Sequence, residues 1–92
     1  MANSTRITTS SQILFGRGVI ELVSLASSAQ NSFADVYDGL YTNGITTGTH
    51  LWHIRCPAND YRDTPILSIP YKNGGLFAII AGTGAGLEVS IR

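Results

Sequence analysis

The chain of 92 residues is short of charge, nearly free of cysteine and without long apolar runs. Charged residues make up 13% of it, about half the share usual in soluble domains, and six basic side chains balance six acidic ones. A net charge of zero removes the basic footprint of a nucleic-acid binder. It also removes the solubility margin that a net charge of magnitude ~2–8 gives a free small domain. The single cysteine, Cys56, has no partner for an internal disulfide, so the fold does not depend on oxidation. No stretch approaches the ~18 apolar residues of a membrane helix. The polar leader, Met1-Ala2-Asn3-Ser4-Thr5-Arg6, has no apolar core of a secretory signal, and synthesis in a cytoplasm is expected. What fills the chain instead is Gly, Ser and Thr, 28 of the 92 residues. A neutral single domain of this kind suits a protein that lives inside an assembly.

Two zones are visible. Residues 1–12 are rich in Ser and Thr with an isolated Ile7, and they are expected to form an extended N-terminal arm, with room for a short strand around Arg6–Thr9, able to reach a neighbouring subunit. Residues 13–92 show short apolar runs separated by turn residues every eight to twelve positions or so, the rhythm of an antiparallel β-sandwich of jelly-roll type. Expected strands cover 13–15, 19–26, 33–37, 50–56, 65–71, 76–81 and 87–91. Asp38-Gly39 predicts a turn, and 40–49 a loop. Pro65 and Pro70 confine their strand to an edge or its ends. Val19, Leu22, Val23 and Ala26 also fit helical spacing, but β-branched residues and the lack of a strong capping box favour a strand.

The last strand alternates cleanly, with Leu87, Val89 and Ile91 set against Glu88, Ser90 and Arg92. The strands at 76–80 and 19–25 are apolar on both faces, which predicts that their outer faces are covered by other subunits.

Motifs with chemical potential each have a plainer reading. Gly82-Thr83-Gly84-Ala85-Gly86 is followed by an alternating strand and not by a helix, so it is a hairpin turn and not a phosphate loop. His50-x-x-His53-x-x-Cys56 has zinc-like spacing, but regular strand geometry sends residues 50 and 53 to opposite faces, and no metal is expected. On that strand Trp52, Ile54 and Cys56 share a side expected to face inward. Cys56 lacks the electropositive, partly exposed setting of a catalytic thiol. The carboxylates of Asp35 and Asp38, and of Asp60 and Asp63 around Arg62, are expected to cap turns and pair with arginine. The aromatics Phe33, Tyr37, Tyr41, Trp52, Tyr61 and Tyr71 are expected in core and interface packing. No catalytic residue, cofactor site or metal site is expected.

The order of pieces resembles small β-sandwich virion proteins of tailed bacteriophages. It rests on Gly18-Val19-Ile20, Val36-Tyr37-Asp38-Gly39, Gly48-Thr49, Gly75-Leu76 and Leu87-Glu88-Val89-Ser90-Ile91. The strand around Trp52 and the loop at 61–63 depart from that pattern. The resemblance implies a non-enzymatic capsid decoration or cement protein on the virion surface, a homotrimer whose partners are the major capsid protein and copies of itself, with no nucleic acid or membrane bound. The alternative is a receptor- or glycan-binding tip or adaptor of a phage tail or fibre. Candidate contacts with neighbouring subunits are Arg6, Ile7, Phe33, Tyr37, Tyr41, Tyr61, Arg62 and Phe77.

Overall fold

A computed structural model describes residues 3–42, 45–64 and 67–92. Among the described residues nine strands follow one another: β1 (Asn3–Ile7), β2 (Ser11–Phe15), β3 (Gly18–Ala26), β4 (Ser32–Thr42), β5 (Ile45–Cys56), β6 (Tyr61–Asp63), β7 (Ile69–Tyr71), β8 (Gly75–Ala81) and β9 (Gly86–Ile91). Among the described residues there is no helix, and the 19–26 stretch is strand. The first sheet runs β1-β9-β3 with β6 and β7 both on the far side of β3; the second runs β2-β8-β4-β5. All pairings are antiparallel. Since β6 meets one end of β3 and β7 the other, they occupy a single strand position that is broken in the middle. Eight positions in this order make a sandwich with jelly-roll topology.

Residues 3–12, expected to form an arm, are instead part of the sandwich. β1 pairs all five of its residues with β9, and Ile7 packs against the core opposite Leu87. The radius of gyration, 12.2 Å, is what a compact chain of this length should have, about 12 Å. The reason is local alternation that the Ser/Thr content conceals. Thr5 and Ile7 lie on the core side with Val89 and Leu87, while Ser4 and Arg6 lie outside with Ser90 and Glu88.

The core lies between the sheets. Ile20, Val23, Leu25, Leu87 and Val89 come from the first sheet, and Ala34, Val36, Leu76 and Ala78 from the second, all fully buried. Each large aliphatic side chain contributes about 1.5–3 kcal/mol by leaving water. Ile54 and Cys56 are buried and Trp52 packs partly against them, so this side of β5 faces inward.

Three β-bulges reset which face a residue occupies. In β3, Ile20 and Leu22 oppose the consecutive residues Ile91 and Ser90, and Glu21 is the extra residue. Ile20 therefore joins Val23 and Leu25 on the inner face, and the apparent two-sidedness of this strand largely disappears. The Glu21 carbonyl, freed from the ladder, accepts the Leu67 N–H at 2.6 Å, which helps tie down the chain between β6 and β7. In β2 the extra residue is Ile13, which enters the core. In β5 it is Leu51, between Trp52 and His50.

The turn expected at Asp38-Gly39 does not form. β4 continues to Thr42 and pairs along its length with β5, so most of 40–49 is strand rather than loop. Gly39 and Gly48 face each other there, and a Cβ on Gly48 would collide with the Asp38 carbonyl. The Asp38 side chain is buried and accepts hydrogen bonds from the Lys72 and Asn73 backbone N–H groups and from Asn73 Nδ2, at 2.8–3.2 Å. The dipeptide thus holds a turn elsewhere, the one between β7 and β8. Of the expected 65–71 strand, 69–71 forms at the sheet margin with Pro70 in it, and 65–66 lie outside the described residues.

Candidate functional site

The outer face of the second sheet gathers most of the chemically distinctive side chains. β4 contributes Phe33, Asp35, Tyr37 and Tyr41; β8 contributes Phe77 opposite Tyr37 and Ile79 opposite Asp35; β5 contributes His50, His53 and Arg55. Phe77 is fully buried, although it points away from the core. It is covered by its own chain: the Tyr37 ring stacks on it at 4.9 Å and 7°, and Tyr41 leans over it at 6.0 Å. The second apolar face of this part of β8 is thus sealed by tyrosines and not left for a neighbour.

Gln12 helps hold that arrangement. Its Nε2 donates to the Leu14 and Gly39 carbonyls at 2.8 and 3.1 Å, and its Oε1 accepts the Tyr41 N–H at 2.8 Å. The side chain reaches β4 by crossing Gly75, where a Cβ would lie 2.5 Å from Nε2. The amide therefore fixes the β4 backbone beneath the Tyr41 ring.

The bulge at Leu51 corrects the expectation that His50 and His53 diverge. With one extra residue between them, both project from the outer face and both donate to the same oxygen, Asp35 Oδ1. The His53 Nδ1 contact is 2.7 Å and the His50 Nε2 contact 2.9 Å. Partial burial works to raise the Asp35 carboxyl, but the two imidazole hydrogen bonds outweigh it and hold the group below its ordinary value of 3.8. Tyr37 meets His50 edge-on at 5.2 Å, and Phe33 meets His53 at 5.9 Å. Among the described residues no group of three or more His, Cys, Asp or Glu is arranged to hold a metal ion. The chemistry on view is charge-assisted hydrogen bonding within an aromatic ledge.

The remaining predicted contact residues lie elsewhere. Arg6 lies over Gly86 on the first sheet, in register with Glu88, and Ile7 belongs to the chain's own core. Tyr61 is exposed on β6, and the neighbouring Arg62 holds Asp60 loosely at 3.5 Å. Sequence reasoning passed over two features. Phe15 is 78% exposed at the end of β2, and Leu40, 43% exposed, packs beside Gly74 at the same end of the sandwich. The backbone joins them, since Gly16 N–H donates to the Gly74 carbonyl. The other feature is a cleft of about 310 Å³ at the opposite end of β4, lined by Asn31, Ser32, Phe33, Arg55, Pro57 and Arg62. Alternation from inward Ile54 and Cys56 is enough to place Arg55 outward.

No protein-family model, curated protein or solved structure matches this chain.

Proposed function

We propose that the protein is a non-enzymatic structural subunit of a virion, a capsid decoration protein that binds copies of itself and the major capsid protein. The observation that carries the assembly part is the exposed pair Phe15 and Leu40 beside the tyrosine-covered ledge of the second sheet. A monomer gains nothing from presenting a Phe and a Leu to water at one end, whereas an interface uses such residues as anchors. The low charge of the chain supports the same reading, since interface cores are depleted in charged residues.

The capsid as partner comes from the resemblance in strand order. Jelly rolls are also frequent among viral capsid and lectin domains, which supports the reading by analogy of fold alone. The mechanism differs from arm exchange. β1 is already used within the chain, so neighbours are held by apolar contact around Phe15 and Leu40, and the exposed margins of β2 and β5 are available for strand addition.

Gold-labelled antibody against the purified protein, applied to intact virions, tests the location. Label at regular positions on the shell is the expected outcome; label on tail fibres alone, or on no particle, overturns it.

A further inference from the structure

We propose that the cleft between Phe33, Arg55 and Arg62 binds a single acidic sugar unit, with its carboxylate on the arginines and its ring against Phe33. The site goes beyond the assembly reading and does not depend on it, because it lies at the far end of β4 from Phe15 and Leu40.

Charge is the first argument. The protein has only six basic side chains, and two of them line this one cleft. Arg55 makes no ion pair among the described residues. Arg62 has Asp60 at 3.5 Å, well beyond the ~2.7–2.9 Å of a strong charge-assisted hydrogen bond, and more than half its side chain is exposed. Both guanidinium groups therefore retain donors for an anion, and their planar forks match a carboxylate better than a spherical ion.

Shape is the second. About 310 Å³ is at the small end of the ~300–1,000 Å³ range of ligand sites, enough for one ring and its substituents but not for a chain of them. Phe33 is 42% exposed and, with Pro57, supplies an apolar wall on which the C–H face of a pyranose can rest. Ser32 and Asn31 line the same space; Asn31 Oδ1 already accepts the Ala58 N–H at 2.9 Å, which anchors that side of the cleft. An acidic side chain from a protein would reach the arginines but leave the aromatic wall unused. An acidic sugar uses both.

The test is amide chemical-shift titration of the purified protein with glucuronate, glucose, acetate and a short glutamate-rich peptide. Glucuronate should shift Ser32, Phe33, Arg55, Cys56 and Arg62 with an affinity in the millimolar range, at least tenfold tighter than glucose or acetate. Arg55→Gln, Arg62→Gln and Phe33→Ala, each at an exposed position, should each weaken it about tenfold while leaving the rest of the spectrum dispersed. The proposal is overturned by the absence of a glucuronate response, by acetate binding equally well (a bare anion site), by tighter binding of the peptide, or by variants that bind like the parent.

Discussion

The first sheet turns Ser4, Arg6, Ser24, Glu88 and Ser90 outward, whereas the second turns out Phe33, Asp35, Tyr37, His50, His53 and Phe77. On the first, an outward contact such as Ser4 Oγ against Ser90 Oγ at 3.0 Å lies open to solvent. On the second, side chains cover one another until Phe77 is lost to solvent altogether. One chain has thus built an ordinary wet face and a face with a packed layer of its own. The difference teaches that apolar residues on both sides of a strand need not signal a partner, since the tyrosines of an adjacent strand can serve as the cover. At the end of the sandwich Phe15 and Leu40 have no such cover.

Truncating both outer faces would break or confirm that contrast. The largest effect is expected from Phe77→Ala, which empties the tyrosine layer and should cost about 3–5 kcal/mol in denaturant unfolding. A loss below about 1 kcal/mol would mean that the layer is surface decoration. Next comes Asp38→Ala, on the inner side of the same β4 strand. It takes the acceptor from the Lys72 and Asn73 N–H groups of an exposed turn and should cost about 1–2 kcal/mol.

A smaller effect belongs to Asp35→Asn. The folded carboxyl lies below 3.8, so its stabilisation is present above that value and is lost as pH falls through the lower folded value. The parent should be more stable than the variant at pH 5, by no more than about 1 kcal/mol given the exposure of the histidines, and the gap should shrink as pH falls below 3.8. Smallest of all, Ser90→Ala on the first sheet should leave unfolding within about 0.5 kcal/mol of the parent.

Much of the sandwich was legible in the sequence, and what escaped has definite causes. The alternation of Leu87, Val89 and Ile91 reads directly because β9 lies between β1 and β3 with one face to the core. Pro70 marked a strand at the margin because it cannot donate to a ladder. The bulges at Ile13, Glu21 and Leu51 escaped, since a bulge is chosen by the partner strand and leaves no local mark. Each one inverts the face assignment on one side of it, and this is why His50 and His53 converge on Asp35 against expectation. Asp38-Gly39 was misread for a related reason. A local preference for turning lost to the hydrogen bonds that Asp38 makes with a distant turn. The place of β1 and its pairing with β9 escaped, although a short strand nearby was foreseen, because a short edge strand needs only Thr5 and Ile7 to face inward. The aromatic ledge was half visible: Phe33, Tyr37, Tyr41 and Phe77 were singled out, but their mutual stacking depends on strand register.

The central claim is that the uncovered end carrying Phe15 and Leu40 is where copies of this protein meet. Sedimentation velocity over a wide range of concentration, on the parent and on the double variant Phe15→Ser with Leu40→Ser, tests it most directly. The account predicts a parent that sediments as an oligomer, with a trimer as the end point, and a folded variant that sediments as a monomer. A parent that remains monomeric throughout, or a variant that associates as the parent does, would contradict it.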